Sequence, residues 1–315
     1  MIALSLLLLP IAAWEGFWRA AGVRASARDP AAYVVARGRI GPTSTVLLGT
    51  SKMQSDVDPR VWARVFGRPA PVDLAVAGSS PLPLLEVLAT DTAFRGTVVM
   101  EILPRIAFAS TTGRERAAVA LEESYREAQA SPAKWIEARL DLLVTSAFVF
   151  RRSGLRPKDA LRSVRDRRFP RVPDFRMRPD RFLPLTLLPD GAAERTQGDL
   201  RRMRTADPPA PPAMRDSIIG RLDRAAMLIE RRGGRVVFVV LPGSGAVRAF
   251  ESELYPRDEF SGVLAARTQV VTIHTDDEPT LNGFDAPDGS HLAGTDTPRF
   301  TEALAAVIRD RLRRP

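Results

Sequence analysis

The chain holds two histidines, His274 and His291, and no cysteine. Thiol chemistry is therefore excluded, and base catalysis near neutral pH falls to an imidazole. His291 lies in FDAPDGSHLAGTDTPRF, three residues after Asp288. An Asp-x-x-His unit on a loop can set the carboxylate against one ring nitrogen, fixing the tautomer and leaving the other nitrogen as base. A serine within reach would complete an acyl-transfer set. The candidate is Ser51, in VLLGTSKMQS, where an apolar run ends abruptly in the corner Gly49-Thr50-Ser51.

Each of these residues also has a plainer reading. Ser51 alone is a turn or capping serine, and Asp285 is a rival acid for His291. His274, Asp276, Asp277 and Glu278 sit close in sequence and could ligate a metal, but carboxylates bunched in a loop are ordinarily solvated. No metal and no organic cofactor is expected. LPGSG, at 241–245, lacks the Lys-Ser/Thr ending of a phosphate loop. Its Gly243 and Ser244 follow a strand and are expected to line a pocket.

These residues need elements to position them, and the patterning supplies an alternating set. Thr45–Leu48 reads as a buried strand. A helix follows, with Asp58 as N-cap, Pro59 at its first position and Gly67 as its stop. PVDLAVAGSS is a second strand ending at Gly78, PLPLLEVLAT a helix, and residues 97–103 a third strand stopped by Pro104. Residues 114–150 look helical and 216–232 form an amphipathic helix. RVVFVVLPGSG and TQVVTIHT are further strands, and TPRFTEALAAVIRDRL closes the chain as a helix. Strand–helix alternation with short connections predicts an α/β three-layer sandwich with a five-stranded parallel, flavodoxin-like sheet. In such sheets ligands sit at the carboxyl ends of the strands, where Gly49 and Gly78 fall. Residues 151–215 break the pattern. They are rich in Arg and Pro (RRFPRVPDFRMRPDRF, ADPPAPPAMRD) and read as an insertion or cap, partly irregular.

With 315 residues, 45% hydrophobic and 26% charged, the chain is long enough for one large core. Its net charge of +9 is almost all arginine, lysine occurring only at positions 52, 134 and 158. No zinc-ligand spacing or aromatic–basic RNA-binding pattern accompanies that charge, so nucleic acid is not an expected partner.

The ordered set of Ser51, Gly78, Asp288 and His291 resembles the SGNH (GDSL-type) hydrolase superfamily over roughly residues 46–312. That resemblance implies Ser51 as nucleophile and Asp288 and His291 as acid and base. It also implies that the backbone N–H groups of Ser51 and Gly78 form an oxyanion site. LLGTSKMQSDVDP, with Gln54 and Asp58-Pro59, is especially similar to the membrane-anchored, alginate acetyltransferase-like members that accompany exopolysaccharide assembly. The implied activity is O-acyl, mainly acetyl, cleavage or transfer on a carbohydrate or polysaccharide, with exopolysaccharide-assembly proteins as partners. The sequence departs from the family at MEILPRIAF, which lacks the Asn that donates to the oxyanion; Arg105 is the candidate substitute. An alternative reading is a catalytically weak or inactive membrane-tethered polysaccharide-binding protein of the same fold.

Residues 1–23, MIALSLLLLPIAAWEGFWRAAGV, read as a leader or membrane anchor ahead of a 24–315 body, with Trp14, Phe17 and Trp18 suited to a membrane interface. The apolar run is shorter than the ~20 residues of a spanning helix. Arg19, Arg24 and Arg28 follow it rather than precede it, which by the positive-inside rule alone would keep the body cytoplasmic. The leader and the resemblance together place the body in the periplasm or outside the cell. Alkaline phosphatase fused to the C-terminus folds only where disulfides form, so that fusion is expected to be active. An inactive phosphatase fusion beside a fluorescent cytoplasmic reporter fusion would contradict the placement.

Overall fold

The most β-branched and apolar runs of the chain become its strands, because side chains on both faces of a parallel sheet are buried. In a computed structural model that describes residues 2–67, 69–170, 172, 175–185 and 191–313, five strands pair in parallel in the order β2-β1-β3-β4-β5. They are β1 (Thr45–Leu48), β2 (Val72–Asp73), β3 (Thr97–Glu101), β4 (Arg235–Val240) and β5 (Val271–His274). β1 and β3 run in register from Thr45 opposite Thr97 to Leu48 opposite Met100. The protein is therefore an α/β fold with helices on both faces of an all-parallel sheet, as the alternating pattern predicts. Residues 1, 68 and 314–315 of the expected leader and body, and 171, 173–174 and 186–190 of the expected insertion, lie outside the described residues.

In chain order the helices are α1 (Ile2–Ala20), α2 (Ala31–Arg37), α3 (Ser51–Asp56), α4 (Pro59–Phe66), α5 (Leu82–Thr90), α6 (Pro104–Ala107) and α7 (Arg116–Ala130). They continue as α8 (Pro132–Ala147), α9 (Pro157–Arg165), α10 (Ala192–Ala206), α11 (Pro212–Glu230), α12 (Gly245–Leu254), α13 (Ser261–Arg267) and α14 (Thr297–Arg313). Alternation along the strands divides the core in two. Leu47, Val99, Val237 and Ile273 pack with Met53 of α3, Trp62 of α4 and Phe300 and Leu304 of α14. Val46, Leu48, Val98, Met100 and Phe238 face the opposite layer, with Leu85 of α5 and Leu222 and Ile229 of α11. The face that carries α3 and α14 is the one that matters for the candidate site.

Several boundaries differ from the sequence expectation. β2 is only two residues long, yet Leu74 N–H and Val76 N–H still donate to Leu47 O and Gly49 O, so the chain stays extended beside β1 without a full ladder. β3 ends at Glu101, although Ile102 N–H still donates to Val239 O. Residues 114–150 are two helices, parted where Ser131 caps α8 ahead of Pro132. α11 starts at Pro212, four residues before the amphipathic pattern begins. The Arg/Pro-rich stretch contains α9, which starts at Pro157 where a first-turn proline is tolerated, and α10, rich in the helix formers Ala, Glu, Gln, Leu and Arg.

That stretch is bound to the body by arginines. Arg178 donates both Nη groups to the Asp58 carboxylate, the N-cap of α4, at 2.9 and 2.8 Å. Arg181 is fully buried; its Nε and Nη2 donate to Asp29 and its Nη1 to Asp73 O. At the other end of the chain, α1 has Pro10 inside it, and its last turns dock through Trp14 Nε1–H to Leu155 O and through the Glu15 carboxylate to the N–H groups of Val149 and Phe150. No helix among the described residues is long and apolar enough to cross a membrane.

Removing a buried guanidinium leaves the carboxylate and carbonyl it served without their donor. Arg181→Ala is therefore expected to destabilise the fold by about 3 kcal/mol in chemical denaturation, whereas Arg204→Ala, at a solvent-exposed pair with Glu253, is expected to leave it close to wild type.

Candidate active site

The corner after β1 is built around a carboxylate. Glu101, the last residue of β3 and fully buried, accepts Thr50 N–H at 2.7 Å and Thr50 Oγ1–H at 3.0 Å. Thr50 Oγ1 in turn accepts Lys52 N–H at 3.3 Å, capping α3. Glycine is required at position 49 by space: a Cβ there would lie 2.5 Å from Met53 Cβ and 2.7 Å from Glu101 Oε2. The Lys52 ammonium, buried beneath the corner, donates to Leu241 O and Pro242 O at the end of β4. Ser51 is thereby held at the first position of α3, half-buried, at the carboxyl edge of the sheet.

The loop before α14 brings the other half. Asp288 Oδ1 accepts the N–H groups of Ser290 and His291 at 2.8 and 2.7 Å, and its Oδ2 accepts His291 Nδ1–H at 2.8 Å. Gly289 between them has φ +84°, and a Cβ there would meet Val247 at 2.7 Å. His291 Nε2 then faces Ser51 Oγ at 2.9 Å. Ser51, His291 and Asp288 thus form a continuous hydrogen-bonded chain, with the serine hydroxyl as donor once Nδ1 holds the ring proton. Burial alone would raise the Asp288 carboxyl, but the hydrogen bond and charge of His291 and the two backbone N–H groups hold it down to about 2. Asp285 is exposed, and it is Asp288 whose carboxylate meets His291 Nδ1.

The other expected residues fall as follows. Gly78 has φ +68°, is exposed and has open space at its Cβ position. Its loop is tied to the Ser51 corner by Val76 N–H to Gly49 O at 2.9 Å. Arg105, the second residue of α6, lies near the same edge, but its Nη1 pairs with Glu251 and its Nη2 donates to Ser290 Oγ at 3.1 Å, next to His291. Ser244 supports the acid loop through Ser244 N–H to Gly289 O and Ala286 N–H to Ser244 Oγ. His274 closes β5, and its acidic neighbours pair with arginines: Asp276 with Arg248, Asp277 with Arg257, Glu278 with Arg311.

Two residues that the sequence reading passed over hold the site together. One is Glu101. The other is Asp56, the last residue of α3, whose Oδ1 accepts Leu292 N–H at 3.1 Å and Ser55 Oγ–H at 2.8 Å. The chain after His291 is thus pinned to the helix that carries Ser51. Asp56 is fully buried, and burial pushes its carboxyl up to about 6 against the opposing pull of His291 and Lys52. The Arg/Pro-rich stretch braces the same parts: Leu183 N–H donates to Gln54 O in α3, and Gly294 N–H to Leu185 O.

No family model and no curated protein matches the chain. Among solved structures, the crystal structure of TesA is similar over 85% of this chain and 99% of its own, at 13% identity and a TM-score of 0.37. That likeness is too loose to carry residue roles from one protein to the other.

A carboxyl raised in the folded state binds its proton more tightly there than in the unfolded chain, so its ionisation costs stability as pH rises between the two pKa values. Wild type is accordingly expected to lose stability relative to Asp56→Asn as pH rises from about 4, the unfolded carboxyl value, to about 6. Urea melts at several pH values would check it; a constant difference across that window would contradict it.

Proposed function

We propose that the protein is an SGNH-type serine esterase or O-acyltransferase. The observation that carries the proposal is the 2.9 Å contact between Ser51 Oγ and His291 Nε2, backed by Asp288 on Nδ1 at 2.8 Å. Ser51 Oγ attacks the acyl carbonyl carbon while His291 Nε2 takes its proton, and Asp288, ionised at any pH well above 2, stabilises the imidazolium that forms. The oxyanion is held by the backbone N–H groups of Ser51 and Gly78, with an N–H of Arg105 not engaged by Glu251 or Ser290 as a third donor. His291 returns the proton to the leaving oxygen, giving an acyl-serine and a free alcohol. Water or a second hydroxyl, deprotonated by the same nitrogen, then releases the acyl group. No step draws on a metal or organic cofactor.

The substrate proposed is an O-acetylated carbohydrate or polysaccharide, acted on by a membrane-associated, extracytoplasmic protein. Support comes from the likeness of LLGTSKMQSDVDP to polysaccharide-modifying members of the superfamily and from the apolar N-terminus.

p-Nitrophenyl acetate and an acetylated glycan are the assay substrates. Ser51→Ala is expected to abolish turnover, and Asp288→Asn to lower kcat by roughly 10⁴-fold through the wrong imidazole tautomer, while Asp285→Asn stays near wild type. Absence of turnover with every acyl donor, alongside tight glycan binding, would instead favour a non-catalytic polysaccharide-binding protein.

A further inference from the structure

α9 has no buried residue. Its Leu161 and Val164, one turn apart, are 72% and 77% exposed, and Phe169 just beyond it is 72% exposed. An amphipathic helix ordinarily turns its apolar stripe to the core; this one turns it to solvent. Lys158, Arg162, Arg165, Arg167 and Arg168 surround that stripe against Asp159 and Asp166, five basic to two acidic, a net of +3. Asp159 is already engaged, accepting Gly154 N–H, and Asp166 accepts from Arg165 Nε.

The surface continues into α1. Phe169 lies against Trp18 with ring centroids 5.3 Å apart, and Phe17, 53% exposed, meets Trp18 edge-on at 5.3 Å. Trp14 is fixed to Leu155 O, two residues before α9 begins. Phe169, against the buried Trp18, thus links the aromatic end of α1 to the segment that leaves α9, and these exposed apolar groups with their basic neighbours are the candidate patch.

We propose that this patch docks on an anionic lipid bilayer. Aromatic and aliphatic side chains enter the headgroup–acyl boundary while Lys and Arg stay at the phosphates, an arrangement whose strength grows with both buried apolar area and anionic charge. A second copy of the chain would set a +3 surface against another +3 surface. A protein partner would have to set several carboxylates opposite these five basic residues and desolvate them, whereas bilayer phosphates meet them at the hydrated headgroup level. The docking is independent of the chemistry at Ser51, which soluble esters test without lipid.

The cysteine-free chain permits single-site labelling of the full-length protein. Leu161→Cys and Val164→Cys, each carrying an environment-sensitive nitrobenzoxadiazole label, report on α9 itself, and Glu302→Cys on α14 is the control site. Vesicles of phosphatidylcholine with phosphatidylglycerol are expected to blue-shift both α9 labels and shield them from aqueous iodide. Phosphatidylcholine alone should leave them unshifted, and added salt should weaken the response. Unshifted α9 labels on protein that floats with the vesicles would overturn the proposal. So would an equal shift with neutral vesicles, a shift at position 302 as large as at 161, or a shift that grows with protein concentration in the absence of lipid.

Discussion

A buried carboxylate must be met by donors or it is expensive to fold around, and two such carboxylates hold the six residues of α3 at its two ends. Glu101 takes the backbone and hydroxyl of Thr50 just before Ser51, and Asp56 takes Leu292 N–H just after His291. Because each acceptor is sealed from water, neither contact is easily exchanged for a solvent hydrogen bond. The serine and the imidazole belong to segments 240 residues apart in the chain, and this pair of contacts sets the spacing between them.

The rest of the fold serves that junction. The sheet delivers β1, β3 and β4 to one edge, so that Ser51, Glu101 and the Leu241 and Pro242 carbonyls that hold Lys52 lie close together. Packing of α14 on α4 and α3, through Phe300, Leu304, Trp62 and Met53, brings the 288–291 loop down onto the same edge. The Arg/Pro-rich stretch acts as a brace: Arg178 holds the cap of α4, Arg181 reaches Asp29 and Asp73, and the strands of chain at 183 and 185 touch α3 and the histidine loop. Its arginines are thus spent partly inside the protein, and those of α9 remain at the surface.

Much of this was legible in the residues alone, wherever the information is local. Thr45–Leu48 is bounded by its own hydrophobic run; α4 carries its cap, its proline and its stop within ten residues; and Asp288 and His291 lie within one turn, so their spacing already implies their contact. What sequence alone determined is therefore the alternating fold class, the corner at Ser51 and the Asp-x-x-His unit. Only the tertiary structure decided which serine faces the imidazole, which carboxylates support them and where the arginines go. Glu101 is 51 residues from Thr50 and Asp56 is 236 from Leu292. Nothing in the pattern of a strand or a six-residue helix marks such a partner, because the pairing is made by the packing of β3 and α14, not by neighbours in the chain.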